Sequence, residues 1–529
     1  MNNNNFVKYI FSAIVLIMIF VILFFFIKSR NTKSEESLDQ TSTVSNIKSD
    51  LRFAISELDT INPIVSHNRN VIEVSKLIYD SLITLDENYK LVYVLAESIE
   101  KKDTNIYEVK LRENVKWHDG SQFNFDDVEF TVNTLKRDDV QSIYDSNVGN
   151  IDYLEKIDDY KFNIKTYDEV AFYEYNLTFP IISKAQYENE DIFNSEIIPN
   201  GTGLYSIDSK SDNMIKLAYF EDYWNSDKKP MVKEINVNLY NSIGEAYQAF
   251  KNAELDILSV KIKNIEDHIG TMGYNKLDYR SRDFDFITFN TENAILSDPN
   301  VRKAINYMID KNNLVAACLG DGYTASSFSL DMGNWLYDKD LNVGPNADEA
   351  IRLLESSGWQ RSGNGWYKRI DNRNERLAFS IIVQNTNDNR VRAADNIKTQ
   401  LENYGINVNL QYYSPNSFSS AINEGEYDTA ILGLQLGYSP SLETFIGNGN
   451  MARYYNDEIS EIRKNIMGGL NDEELQKAYE RIFEIYLDDM PYIGLYRTVD
   501  TLIYNQNLVG NVRANAFNIY NNIELWYRQ

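Results

Sequence analysis

Residues 76–136 read KLIYDSLITLDENYKLVYVLAESIEKKDTNIYEVKLRENVKWHDGSQFNFDDVEFTVNTLK. Leu77, Ile78 and Leu82 close an apolar stripe that starts at Val71 and runs through Val74, a spacing that predicts a helix with one buried face. Leu85-Asp86-Glu87-Asn88-Tyr89-Lys90 has turn composition and separates that helix from a short strand at Leu91-Val92. Ala96–Glu100 and the run Ile106, Tyr107, Val109, Leu111 predict two strands around a tight connection. After the turn Trp117-His118-Asp119-Gly120, Asn124 caps a second helix. Asp126 and Asp127 fall in its first turn, where the helix carries partial positive charge, and Val128, Val132 and Leu135 face inward. His118 beside Asp119 is the residue pair of a metal or general-base site, but it sits in a D-G turn and the chain has only 3 His, so it reads as structural.

Outward from this stretch, 529 residues are too many for one core, so two or three domains are expected. The composition is globular, with 43% hydrophobic and 25% charged residues. A net charge of −26 argues against nucleic acid or an anionic membrane surface as a partner held by a basic face. Cys318 alone makes no intramolecular disulfide and no thiolate metal cluster.

Ile10–Ile27 is apolar except for Ser12, and Tyr9 precedes it at an interfacial position. About 18 residues at a rise of about 1.5 Å just cross a bilayer core of roughly 30 Å. Lys28, Ser29 and Arg30 follow in place of a small-residue cleavage site, and no Cys lies nearby to carry a lipid. An uncleaved single-pass anchor over residues 9–27 is therefore expected, followed by a Ser/Thr/Asn/Glu-rich flexible linker over 28–50. The flanking charges leave orientation open: Lys8 precedes the span, whereas Lys28, Arg30 and Lys33 follow it, and the positive-inside bias alone would keep the large domain in the cytoplasm.

The rest of the chain alternates helix and strand signals. Leu51–Ile55 is a short strand. Ser242-Ile243-Gly244-Glu245 opens a helix as a capping box, and Leu255-Asp256-Ile257 follows as a strand. Phe284, Phe286 and Thr288 alternate; Asp298 caps a helix whose first residue is Pro299. Ala394, Ile397 and Leu401 stripe a helix that Gly405 stops, and Ile406, Val408 and Leu410 alternate after it. Leu475, Ala478, Tyr479, Ile482 and Phe483 mark the last long helix before Pro491. Such units indicate α/β lobes with mixed sheets. Between them, Glu426–Phe445 reads EYDTAILGLQLGYSPSLETF: an apolar strand, Ala430-Ile431-Leu432, that breaks into a Gly-spaced segment and then Tyr438-Ser439-Pro440. Glycine at alternate positions strips one face of side chains and lets another backbone approach, so this stretch is either a core strand with a loose exit or a ligand seat.

Residues 76–136 closely resemble the opening signature of the family 5 bacterial extracellular solute-binding proteins, the peptide-, oligopeptide- and nickel-type receptors of ABC importers. Tyr79 and Leu82, then Leu95-Ala96-Glu97-Ser98, then Leu111-Arg112 through Asp127-Val128 carry the match. It continues in order through Asn200-Gly201-Thr202-Gly203-Leu204-Tyr205, Tyr223-Trp224, Asn290, Asp298 to Ile305, and Ala350 to Trp359, and covers residues 51–529. The resemblance implies an α/β, two-lobed, periplasmic-binding-protein-like fold (type II, "Venus flytrap") with an extra subdomain. Lobe I would comprise 51–80, 188–283 and 493–529, with a subdomain at 81–187 inserted in it. Lobe II would comprise 284–492, and two crossings near 284 and 492 would form the hinge.

It also implies the function: a membrane-anchored, extracytoplasmic, monomeric receptor that captures peptides or similar small solutes between its lobes and hands them to ABC importer permease subunits. A solute receptor belongs outside the membrane, which places the soluble domain there. In peptide-binding relatives the segment similar to Gly433–Tyr438 is Gly-Trp-x-x-Asp-Tyr, whose backbone pairs with the peptide and whose Asp holds its α-ammonium. Here Leu434 stands for the Trp and Gly437 for the Asp. A buried ammonium without a carboxylate is costly, and Glu443 or Asp388 are the carboxylates that could replace it. By this resemblance the ligand-binding residues are Gly433, Gln435, Gly437, Tyr438, Tyr492, Tyr496, His67 and Asn68. A tethered ligand sensor or signalling co-receptor on the same scaffold is the alternative. An enzyme is disfavoured, because the chain shows no nucleophile–base pair, no H-E-x-x-H, no phosphate loop and no Cys/His cluster. No cofactor and no metal are expected, and nickel binding is weakly supported by so few His and Cys.

Overall fold

The structure is a computed structural model that describes residues 48 and 50–529, apart from 262–263, 331–332 and 338–343. The anchor expected at 9–27 and almost all of the linker expected at 28–50 lie outside the described residues. Among those described, no helix is long and apolar enough to cross a membrane.

The chain forms two lobes of mixed α/β structure. In the first, a sheet runs in the order Asp50–Ser56, Glu234–Tyr240, Met214–Tyr219, Tyr205–Lys210, its first pair parallel. A second, antiparallel sheet runs Ala96–Asp103, Ile106–Leu111, Lys161–Thr166, Ile151–Asp158. The two share one apolar core, in which Val109, Trp117 and Phe162 join Leu51, Phe53 and Trp526. A separate core gathers Phe284 through Tyr496.

Most cap residues act where the sequence expects them; at Ser242 the hydroxyl accepts from Glu245 N–H (3.3 Å), but the Glu245 carboxylate accepts from Asn241 N–H (3.1 Å) instead of Ser242 N–H, so the expected box does not close. Asn124 and Asp127 complete a capping box on the helix Phe125–Leu135. Asp298 accepts from the Asn300 N–H and Pro299 opens the helix Pro299–Met308. The helix expected to reach Leu82 instead ends at Ile78. There a loop docks on its last turn: Gly203 N–H donates to Ile78 O (2.8 Å), and a Cβ on Gly201 would stand 1.9 Å from that oxygen. His118 pins the same loop, its Nδ1 accepting from Gly201 N–H (3.2 Å) and its Nε2 2.9 Å from Gly203 O. Burial lowers its pKa to about 4, so the ring is neutral and its role here is structural.

Two long antiparallel strands, Tyr274–Phe289 and Tyr492–Asn505, connect the lobes. At one end they pair with Ile257–Val260, at the other with Thr429–Gln435. Their ladder is regular from Tyr274↔Asn505 to Arg280↔Val499 and resumes at Phe284↔Arg497. Residues 281–283 form the irregularity between, so the break falls between the two cores. A bulge there bends the strand and re-aims its side chains.

Candidate ligand-binding cleft

The bulge supplies one wall of the candidate site through Arg282. Thr498 Oγ1 donates to Asp283 Oδ2 (3.2 Å), and Asp283 N–H donates to Ser281 Oγ (3.1 Å), which fixes the kink. Released from the ladder, Arg282 donates through Nε to Leu436 O (3.3 Å) and through Nη2 to Gly437 O, while its own carbonyl accepts from Leu436 N–H (2.9 Å). Its guanidinium lies 5.3 Å from the Tyr89 ring and 5.5 Å from the Tyr438 ring, so it joins the first lobe to the exit of the Gly-spaced strand.

That strand, Thr429–Gln435, pairs with Tyr274–Phe289 along its whole length, from Phe289↔Thr429 to Asp283↔Gln435. On its other side the ladder with Ala378–Gln384 holds only Ile381↔Thr429 and Ile382↔Ala430. Among the described residues, no strand is therefore paired along the second edge of residues 431–435. A cavity of about 150 Å³ opens where the strand ends, lined by Arg282, Ser329, Gln435, Gly437, Ser441 and Thr444 among others.

Gln435 and Gly437 thus come together at this cavity. Gly437 is exposed, and a side chain added there would meet no atom within 4 Å. Tyr438 bridges the lobes: its hydroxyl donates to Ala516 O (2.8 Å), and its ring meets Phe517 edge-on at 4.9 Å. Burial, then the nearby Glu73 carboxylate, pushes its ionisation up. Gly433 faces a different partner. A Cβ there would stand 1.8 Å from Arg390 Nη2, because the Arg390 guanidinium crosses the strand to pair with Asp285 (Nε to Oδ1, 2.5 Å). Burial raises the Asp285 carboxyl and Arg390 opposes the shift.

Tyr496 is buried across from Asp285 and meets the Tyr323 ring edge-on at 5.7 Å. Tyr492 is buried in the aromatic core against Phe286, Phe328 and Phe445, with its hydroxyl 3.1 Å from the cavity residue Ser329. His67 and Asn68 lie apart from the Gly-spaced strand, at the start of the helix Arg69–Ile78. His67 is exposed, and Asn68 is the N-cap, its Oδ1 accepting from Asn70 and Val71 while its Nδ2 donates to Ser56 O and Glu57 O. The next residue, Arg69, reaches the crossing strands, pairing with Asp500 (2.7 Å) and donating to the Tyr279 hydroxyl (2.9 Å). Of the two carboxylates that could replace the missing Asp, Glu443 is paired with Arg463 and Asp388 is exposed at the start of its helix.

Sequence reading missed Arg282, Asp285 and Arg390. The signal for the first two was present: Arg280-Ser281-Arg282-Asp283-Phe284-Asp285 puts four charges immediately before the uncharged run Phe286–Phe289, and charged residues are buried only where something pairs with them. Between the segment 81–187 and the second core's part of the chain, Lys90 pairs with Asp472 (2.5 Å), and Trp335 Nε1 donates to the Tyr175 hydroxyl (3.2 Å). Among the described residues no group of three or more His, Cys, Asp or Glu is placed to hold a metal ion.

A family model described as "Bacterial extracellular solute-binding proteins, family 5 Middle" matches residues 90–455. The chain is 24% identical to the oligopeptide-binding protein AppA of Bacillus subtilis (strain 168), over 98% of each protein. It is 23% identical to heme-binding protein A of Haemophilus influenzae, covering 83% of this chain and 85% of that one. Its fold is similar to that of the periplasmic murein tripeptide binding protein MppA in its unliganded open form (TM-score 0.77, 17% identity, 91% of this chain and 97% of the other).

Proposed function

This chain belongs to the family 5 bacterial extracellular solute-binding proteins, and from that premise we propose that it captures a peptide, or a similarly extended small solute, between its lobes and delivers it to the permease of an ABC importer. The observation that carries the reading is the open edge of residues 431–435 leading into the cavity at Gln435 and Gly437. An extended backbone laid along such an edge gains main-chain hydrogen bonds whatever its side chains, which suits a receptor that must accept varied ligands. The relatives' names extend from oligopeptides to heme, so the edge and the cavity, and not the family alone, are what support an extended ligand.

In this reading Gln435, Gly437 and Tyr438 contact the ligand directly, and Gly433 and Tyr496 set the position of Arg390 and Asp285 beside it. Tyr492 acts through Ser329, and His67 and Asn68 act through Arg69. Lobe I is 51–80, 188–283 and 493–529 with the insertion 81–187, and lobe II is 284–492; the two separate cores support that division. The anchor at 9–27 holds a monomeric soluble domain outside the membrane.

Native mass spectrometry of the full-length chain, purified without refolding, tests the reading by identifying what co-purifies. A peptide that also accumulates outside cells lacking the gene supports import, whereas unchanged uptake with an altered transcriptional response would favour the sensor. Protease treatment of intact protoplasts should digest the soluble domain; full protection rules out an importer receptor.

A further inference from the structure

The first lobe contains a cavity of about 610 Å³ that, among the described residues, none of 284–492 lines. Its walls are the end of the helix Arg69–Ile78, the hairpin that follows it, the Tyr223–Lys228 loop and the C-terminal segment 511–524. A cavity of this size holds a small organic molecule.

One wall carries Asp80. Trp224 Nε1 donates to its Oδ2 (3.1 Å) and the Tyr223 hydroxyl to its Oδ1 (3.4 Å), while its backbone N–H donates to Thr202 Oγ1 (3.3 Å). These neutral donors orient the carboxylate without neutralising it. Among the described residues no lysine or arginine is ion-paired with Asp80. Two cations in the same walls are committed elsewhere: Lys76 pairs with Glu73 (3.1 Å) and Arg513 with Glu87. Among the described residues of the lining, Lys228 is then the remaining cation beside Asp80, Asp86 and Glu524. Tyr79, Tyr93, Tyr144 and Tyr520 line the same space beside Trp224, whose ring already carries the Arg112 guanidinium at 4.5 Å, and aromatic rings beside a carboxylate favour an organic cation over a hydrated metal ion.

We propose that this cavity is a second binding site, separate from the interlobe cleft, for a small organic ammonium whose charge is met by Asp80 and whose apolar body packs on the aromatic wall. The desolvation felt at Asp80 agrees: burial raises its pKa to about 7, with Lys228 and the hydrogen-bond donors opposing. A bound ammonium supplies a compensating charge in direct contact with the carboxylate.

The test is titration calorimetry of the full-length chain at pH 8 with 2-phenylethylamine and its neutral analogue 2-phenylethanol. The wild type should bind the amine about tenfold more tightly than the alcohol, roughly the strength of one desolvated charge–charge contact. Asp80→Asn should erase that preference. Equal affinity for the two probes, no binding of the amine at millimolar concentration, or a preference that survives in folded Asp80→Asn each overturns the proposal. If Asp80→Asn does not fold, Tyr93→Ala decides, since Tyr93 is 37% exposed and touches none of the Asp80 hydrogen bonds. An about threefold loss for both probes supports the site, and unchanged affinity refutes it.

Discussion

A methyl group on Gly433 would stand 1.8 Å from Nη2 of Arg390, because the guanidinium lies across the backbone of the central strand to reach Asp285. The glycine spacing of this segment is thus in part a channel for an ion pair. Gly433→Ala must either expel Arg390, leaving Asp285 buried and unpaired, or push the strand away from Tyr274–Phe289. Breaking a buried pair by removing one partner costs about 3–5 kcal/mol. We expect a loss of that order in urea unfolding, strongly non-additive with Arg390→Met, which removes the obstacle. Additive losses would mean that the two residues do not compete for the same space.

Gly437 behaves differently. Its Cβ direction is open, so Gly437→Asp should change stability by no more than about 0.5 kcal/mol. If the cleft seats a peptide with its N-terminus here, the new carboxylate should improve binding of free over N-acetylated peptides by about tenfold, as expected for a charge-assisted bond. The competing sink is Arg282, which holds the Gly437 carbonyl. No gain in calorimetry with both peptides would place the N-terminus elsewhere.

Tyr438→Phe removes the hydroxyl that donates to Ala516 O while keeping the ring against Phe517. An ordinary hydrogen bond contributes about 1 kcal/mol, so a two-state lobe equilibrium should shift about fivefold away from the joined arrangement. Distance distributions between spin labels on the two lobes read this directly. An unchanged distribution would show that this bond does not bias the lobes.

His118 gives a pH signature. Its pKa falls from 6.5 to about 4 on folding, so between those values the unfolded chain binds a proton that the folded chain does not. Stability from this group is full above pH 6.5 and is lost as pH falls through about 4. A shift of about 2.5 units corresponds to about 3 kcal/mol. Asp80 works in the opposite sense, because its raised pKa makes the folded state bind the extra proton between pH 3.8 and about 7. The two offset each other in the wild type. The stability difference between wild type and His118→Gln, measured by urea unfolding, should therefore shrink by about 3 kcal/mol from pH 7 to pH 4. A difference independent of pH would mean that His118 is charged in the fold.

Local chemistry is what the sequence expressed plainly. Asn124, Asp298 with Pro299, and Gly405 mark helix ends because a cap needs only a side chain, or a glycine at positive φ, within a few residues of the backbone it serves. The helix ending at Ile78 was misjudged by one turn, since its stop is imposed by Gly201 and Gly203, more than a hundred residues away.

By itself, then, the sequence determined the α/β elements, the ordered motifs and with them the family, all of which depend on residue spacing along the chain. The tertiary structure alone decided which distant residues meet at the candidate cleft. Arg282 meets Gly437 across 155 positions, Arg390 meets Asp285 across 105, and Tyr438 meets Ala516 across 78. Periodicity reports which face of an element is buried, but not which distant charge or carbonyl will meet it. That pairing is fixed only when the bulge at 281–283 interrupts the crossing strands and brings their side chains to the end of the Gly-spaced strand.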